Sequence, residues 1–530
     1  MNITLNDLTA LPDDPKALKS LLIEQFHALS DKDTELQKKD NKISVLEEQI
    51  NLLLHQRFGR STEKYAPNQL GLFNEAEVAE IEEEDADADP DHSEVVTVAA
   101  HERVKRGRKP LPEHLPRIEV IHDLSDAEKV CPQDGHALHW IGTSTLEQLE
   151  IIPAKIQVIR HIRHKYACRH CETGVHTAPL PPMPIPKSMA TPGLLAYVAI
   201  SKYADALPLY RQEQMFKRID VELKRATLAS WMIRVGELIK PLLESLAGNM
   251  LVSPYIHMDE TRVQVLNVEG QRKQGLSQMW VRVSGDADRP AVLFDYDPSR
   301  SGSVPVRLLS DYKGYLVTDG YKAYSAVLRQ PELIGVGCWA HARRKFDEAI
   351  KSQGRKPSAK TGKAHQGLSY IQQLYRIERA IKDKPADERR RNRQQQSKPI
   401  LDKIKQWVRR SVDEVPPATK LGKAIGYLQT EWERLVVYIE DGNLPIDNNR
   451  CENAIRPFVI GRKNWLFSNT DRGARASAGI YSLVETAKAN RRDPYQYLRY
   501  VLTELPKADP ANIDHLLPYE LKPGTLPKPG

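Results

Sequence analysis

Apolar residues recur every seven positions at Leu22, Leu29, Leu36, Ile43 and Ile50, and this spacing predicts one long helix from about Leu18 to Leu54. A second stripe, Leu18, Leu46 and Leu53, exists only at the two ends, because Gln25, Lys32 and Lys39 interrupt it. The pattern fits either a short, imperfect coiled coil that pairs two chains or an amphipathic helix packed on its own protein. Helical spacing returns at Leu207 to Arg218 and Arg225 to Leu238, across a short turn at 219–223 with Lys217, Arg218, Lys224 and Arg225 nearby. That is the spacing of a helix-turn-helix reader of the major groove, and equally of a plain helical pair.

From Tyr255 the period shortens. Tyr255 to Met258, Met279 to Val283, Ala291 to Tyr296 and Tyr315 to Thr318 are brief runs rich in β-branched and aromatic residues, as strands are. Three antiparallel strands with the fourth beside the first would make an RNase H-like sheet. Asp259 and Asp319 close the first and fourth runs and would then be neighbours at one sheet edge. A fifth strand, Ile334 to Cys338, leads into the basic helix start His341 to Phe346. Residues from about 350 to 440 read as long helices, with Leu368, Ile371, Leu374 and Ile377 at helical spacing. Asp447, Asn448 and Asn449 then offer side-chain caps for a helix that carries Glu452 in its first turns and that Pro457 should end or kink.

Charge changes the picture more than composition does. At 530 residues the chain needs roughly three or four units. No apolar run is long enough for a membrane span, and no basic stretch followed by an apolar core suggests export. Five scattered cysteines point to thiols or a metal site in a reducing cytoplasm. The net charge of +7 conceals a split: residues 1–100 hold 9 Lys/Arg against 22 Asp/Glu, so the remainder is strongly basic. Residues 343–410 alone hold 21 Lys/Arg against 7 Asp/Glu, which suits either a DNA-handling platform or a solvated helix face. A polyanion partner follows from the counterions that clustered cations release from phosphates.

Two smaller patterns precede the sheet. After an acidic linker at 75–94 comes Lys105-Arg106-Gly107-Arg108-Lys109-Pro110. Its glycine lets Arg106 and Arg108, with Lys109, enter a narrow minor groove, unless the segment is only a basic tether. Cys168 and Cys171 have the knuckle spacing of a zinc site, with Cys131 heading a similar turn. Asp134 stands where a fourth cysteine is usual, and His136 and His170 are close by. The segment is a zinc-ribbon-like unit that either holds Zn²⁺ through Cys131, Asp134, Cys168 and Cys171 or has lost its metal.

The chemistry concentrates on Asp259, Asp319 and Glu452. Carboxylates at strand ends and on a facing helix can hold two hard cations about 4 Å apart for phosphoryl transfer. Asp259 would bridge the metals, Asp319 would bind one and Glu452 the other. Arg456, Arg462, Lys463 and Trp465 follow Glu452 and suit phosphate clamping or base stacking. Cys338 and His341 read either as a metal or nucleophile pair or as packing and support.

These residues together resemble the bacterial DDE transposases of the insertion sequence 66 type. The resemblance runs through Arg57 to Lys64, Arg106 to Pro112, the paired cysteines, Met258 to Thr261, Thr318 to Tyr321, Gly337 to Phe346, Asp447 to Trp465 and the tail Leu483 to Leu505. It departs at Asp134, where the family often has cysteine. It implies an acidic triad of Asp259, Asp319 and Glu452 working with Mg²⁺, for which Mn²⁺ can substitute. It also implies terminal inverted repeats and target DNA as partners, a second copy of the chain, and accessory proteins of the same element. The expected protein is a multidomain α+β chain in the bacterial cytoplasm, nucleoid-associated and with no membrane partner. Its expected segments are a coiled coil at 1–60, a linker with the basic hook at 61–127, the zinc-binding-like unit at 128–178 and a helical DNA-binding region at 187–250. An RNase H-like catalytic domain at 251–470, with its helical insertion, and a C-terminal helical segment at 471–530 complete it. Two alternatives share these features: a catalytically silent DNA-binding descendant, and an RNase H-like nuclease without strand transfer.

Overall fold

A long central strand organises the computed structural model, which describes residues 14–58, 156–167, 175–268, 276–352, 362–509 and 512–526. The chain divides into two units, residues 63–180 and the remainder. In the first unit the described elements are two short antiparallel strands, β1 (Lys165–Ala167) and β2 (Val175–Thr177), with Lys165 opposite Thr177. The connection between them carries Cys168 and Cys171. It lies outside the described residues, as do Cys131, Asp134, Arg106, Arg108 and Lys109.

The second unit begins with α1 (Pro15–Phe58), a single helix of 44 residues. Leu22, Leu29, Leu36, Ile43 and Ile50 are all more than half exposed along it. A different face, with Asn41, Val45 and Glu48 half-buried, meets the body, where the Lys420 amide donates to Glu48 Oε2 at 2.8 Å. Four helices follow: α2 (Pro192–Tyr203), α3 (Leu209–Lys217), α4 (Arg225–Leu238) and α5 (Lys240–Met250). Between α3 and α4, Asp220 takes a left-handed conformation (φ +58°), and Glu213 accepts the Arg225 amide at 2.9 Å. Leu228, Trp231, Met232 and Val235 anchor α4, while Lys217, Arg218, Lys224 and Arg225 stay exposed.

The sheet contains β3 (Tyr255–Asn267), β4 (Leu276–Ser284), β5 (Val292–Asp297), β6 (Gly314–Val317) and β7 (Leu333–Val336), in the order β5-β4-β3-β6-β7. β3, β4 and β5 form an antiparallel meander, whereas β6 and β7 run parallel to β3. β3 does not stop at Asp259, which was expected to close its run, but continues through the polar stretch Glu260-Thr261-Arg262. It pairs with β4 from Ile256 through Gln264, and Val263 and Val265 bury where the polar run ends. Cross-strand pairing along this whole length outweighs the local polarity.

Short helices α6 (Ser303–Leu308) and α7 (Tyr324–Val327) flank β6 in the chain, and α8 (Trp339–Ser352) follows β7. The insertion is helical as expected: α9 (Lys363–Ala380), α10 (Ala386–Asn392), a π-helical turn at Arg393–Ser397, α11 (Lys398–Glu414) and α12 (Lys420–Leu435). It builds a second core around Phe346, Ile371, Leu374, Trp407, Leu428 and Trp432. Next comes α13 (Asn449–Trp465), which continues through Pro457 instead of ending there. Proline costs an interior helix about 3 kcal/mol, and here Cys451, Ile455, Phe458 and Gly461 bury along one face and offset it.

A short strand, β8 (Ser468–Thr470), then pairs with the far end of β3, and α14 (Asp471–Ala489) and α15 (Pro494–Glu504) complete the unit. α14 protects the sheet's edge. Ser482 Oγ accepts the Phe294 amide at 2.8 Å, and Thr486 Oγ1 accepts the Val292 amide at 3.0 Å and donates to its carbonyl, so helix hydroxyls satisfy edge groups that would otherwise template pairing with another chain.

Candidate functional site: a carboxylate cleft

Register alone makes Asp259 and Asp319 neighbours. His257 of β3 lies opposite Val317 of β6 in a parallel pair, and each aspartate is two residues further on. Asp259 is still within β3, facing Val281, whereas Asp319 has left β6 for the loop beyond it. The Asp319 side chain accepts the Tyr321 amide at 2.9 Å, a turn that fixes one of its oxygens. From the insertion, Arg434 of α12 donates to the Thr318 hydroxyl and to the Asp319 carbonyl at 3.2 Å. The basic insertion thus reaches the cleft through a buttress under Asp319.

Glu452 arrives on α13, and Asn448 governs its approach. Its side chain was expected to cap the helix, but no cap hydrogen bond forms. Fully buried, it donates instead to the Met258 carbonyl at 3.0 Å and pairs with His257 Nδ1 at 2.8 Å, while its amide donates to Cys338 Sγ at 3.2 Å. One asparagine therefore ties the start of α13 to the backbone immediately before Asp259 and to the β7–α8 junction. Asp447 does the local work, accepting the Asn449 amide at 3.1 Å and the Tyr375 hydroxyl at 2.8 Å.

The electrostatics record the convergence. Burial first, and then the negative charges of Glu260, Asp319 and Glu452, together push the Asp259 carboxyl up to about 8. Glu452 Oε2 accepts from Arg344 at 3.0 Å, while its Oε1 is buried without a hydrogen bond, 3.6 Å from His341 Nδ1. Three crowded carboxylates, one of them proton-binding at neutral pH and another with an orphaned oxygen, form an all-oxygen donor set that fits a hard divalent cation.

Cys338, His341 and Glu452 also offer ligand atoms within 4.8 Å of one another. Cys338 is a poor ligand there: burial pushes its thiol up to about 12, and its sulfur already accepts the Asn448 amide. Burial likewise lowers the pKa of His341. We assign this pair to supporting Glu452 and the α13 junction.

The other predicted residues divide. Arg462 donates to Thr261 Oγ1 at 3.2 Å and to the Arg262 carbonyl, so it lies along the same strand as Asp259. Arg456 is half-buried and Lys463 exposed on α13. Trp465 is half-buried, with its ring edge-on to Phe458 at 5.5 Å. Gly461 leaves room for it, since a Cβ there would stand 2.5 Å from the Tyr481 hydroxyl and 3.0 Å from Trp465 Nε1.

Two residues near the cleft escaped the sequence reading. Glu260, side chain 3% exposed, accepts from Arg300 at 2.6 Å and from the buried Tyr324 hydroxyl at 2.7 Å. Arg300 stacks on Tyr321, 3.9 Å from the ring centre, and so links Glu260 to the Asp319 turn. Glu260's adjacency to Asp259 was the one available signal; Arg300 lies 40 residues away and gave none.

The fold and site define a mixed α/β protein in which carboxylates from a neighbouring loop and a late helix lie near enough to a carboxylate of the central strand to act on its charge. Residues 187–476 match the family described as "Transposase IS66 family", more than half of the chain, and the chain belongs to that family. Three further matches agree: "Transposase C of IS166 homeodomain" at 45–120, "zinc-finger binding domain of transposase IS66" at 128–172 and "IS66 C-terminal element" at 482–519. The chain is also similar to uncharacterized protein y4jD of Sinorhizobium fredii, 34% identical over 78% of this chain and 81% of that protein. Uncharacterized protein y4qI of the same organism is 30% identical over 97% of this chain and 98% of its own length. Family membership brings a transposase with DNA-binding domains and implies a divalent metal. Among the described residues no helix is long and apolar enough to cross a membrane.

Proposed function

We propose that the protein binds the terminal inverted repeats of an insertion sequence, cleaves at the element's ends and joins the freed 3′ ends to target DNA, with Asp259, Asp319 and Glu452 as the catalytic and metal-binding residues. The observation that carries this reading is that Glu452, 132 residues beyond Asp319, and Asp319 itself both act electrostatically on Asp259. The strand order, an antiparallel meander followed by two parallel strands beside its first member, supports an RNase H-like core. Mg²⁺ held by the three carboxylates would supply activation of water or a 3′ hydroxyl and stabilisation of the leaving oxygen. Asp259 must give up its proton for that binding, and Arg344 must share Glu452. Asn448 and Arg434 hold the carboxylates in register. The exposed heptad face of α1 supports pairing of two chains, which brings two DNA ends together. Zinc in the 128–178 unit and the Arg106–Lys109 hook complete the reading as DNA-positioning modules.

Cleavage and strand-joining on labelled terminal repeats with Mg²⁺ test it. The intact protein should do both, and Asp259→Asn, Asp319→Asn and Glu452→Gln should reduce both to background while retaining binding. Binding without nicking would favour a silent DNA-binding descendant, and nicking without joining a nuclease.

A further inference from the structure

α13 ends in a conformation that a leucine seldom adopts. Leu466 has φ +67° and ψ −55°, and the Phe467 amide donates to the Trp465 carbonyl at 2.9 Å, which together make a γ-turn of the rare, strained kind. The turn does not bury its apolar residues. Leu466 is 63% exposed and Phe467 43%, whereas Trp465 just before them packs inward on Phe458. Strain that instead presents a leucine and a phenylalanine to solvent invites a functional explanation.

The location narrows it. On the side of β3 away from β4, β6 pairs only with residues 255–257 and β8 only with residues from 265 onward. Between them, among the described residues, that edge has no strand partner. Asp259 and Asp319 stand at one end of this gap and the Leu466–Phe467 turn at the other. Ser468, the residue after the turn, pairs with Val265, and from Asp259 to Val265 along an extended strand is about 20 Å, the length of about six base pairs of duplex at about 3.4 Å each. Asn448 covers the Met258 carbonyl at the start of the gap and Arg462 the Arg262 carbonyl within it, while Arg262 itself and, on β8 at the far end, Asn469 are exposed. Past the carboxylates at its start, the gap carries Arg262 and Arg462 and ends on polar Asn469, so the occupant it suits is a polyanion that reaches the carboxylates through a metal rather than an apolar protein face.

We propose that Leu466 and Phe467 form an apolar wedge that unstacks one base step of duplex DNA about six base pairs from the scissile phosphate. The inference rests on the transposase reading and adds to it a site at which the DNA is deformed. Insertion of leucine or phenylalanine between base pairs bends a duplex, and a bend here would let the DNA follow the gap toward the carboxylates.

The test uses the full-length protein, without divalent metal so that no cutting intervenes, on terminal-repeat duplexes carrying 2-aminopurine at successive steps. Binding is followed separately by anisotropy. Fluorescence should rise at one step about six base pairs from the cleavage point. The rise should vanish in Leu466→Ala/Phe467→Ala and persist in Phe467→Trp. A duplex mismatched at that step, already unstacked, should bind the intact protein about tenfold more tightly. Leu466→Gly relieves the backbone strain, so it should weaken the fluorescence rise with a Tm no lower than that of the intact protein. A rise that survives in the double variant, a bound duplex with no bright step, or loss of the rise only together with a lowered Tm would each overturn the wedge. Failure of the intact protein to bind the terminal repeat at all would instead overturn the transposase reading, and the wedge with it.

Discussion

Asp259 is the residue of the proposed site whose protonation folding changes. Its folded pKa, about 8, lies above the ordinary 3.8, so between those values the folded protein retains a proton that the unfolded chain has lost. Its contribution to stability is therefore complete at low pH and is lost as pH rises toward 8. In EDTA the Tm should decline across that window, and Asp259→Asn should flatten the decline. Added Mg²⁺ competes with the proton, so the rise in Tm that it produces should be greater at pH 8 than at pH 6; the reverse order in a thermal-shift titration would contradict the site. Asp259 and Asp319 were legible from the sequence because each follows an apolar strand run. Asn448 was legible only as a helix cap. Its true partners, Met258, His257 and Cys338, are more than a hundred residues away, and no local pattern encodes them.

At the scale of elements, the insertion shows how far periodicity reaches. Its helices follow from the spacing of Leu368, Ile371 and Leu374, but the π-helical turn at Arg393–Ser397 does not. That turn holds a buried arginine. Arg393 is wholly buried, forms a paired hydrogen bond with Glu378 at 2.9 and 2.7 Å, and donates to the Tyr438 and Asp441 carbonyls at 2.7 Å each. Removing one partner of a buried pair costs about 3–5 kcal/mol, so Arg393→Met should lower unfolding stability by about that much in urea titrations. Adding Glu378→Leu should recover part of the loss by removing the stranded carboxylate, though both carbonyls remain unpaired. A loss below about 1 kcal/mol, the worth of an exposed pair, would refute the lock. α13 teaches the converse: Pro457 was expected to end or kink it, and with Ile455 and Phe458 buried on either side the helix does not end there but carries the chain on to the Leu466 turn.

Across the whole molecule, the proposed pairing of DNA ends requires self-association. The heptad stripe of α1 is exposed although another face of the same helix meets the body, so a second chain can cover it without dismantling that contact. Light scattering should find the intact protein dimeric and a variant lacking residues 1–62 monomeric. An unchanged mass after truncation would locate the interface elsewhere. The sequence by itself determined the period of each element, the basic body behind an acidic leader, and the types of residue that chemistry requires, because periodicity, charge and local turn preference are written in neighbours along the chain. Only the tertiary structure decided that β3 continues past Asp259, that Asn448 is a tie and not a cap, that Trp465 faces inward and Leu466 outward, and that Glu452 crosses the helical insertion to reach the aspartates. Each of those outcomes depends on pairing or burial between segments distant in sequence, whose energies exceed the local preferences that a single stretch of chain can reveal.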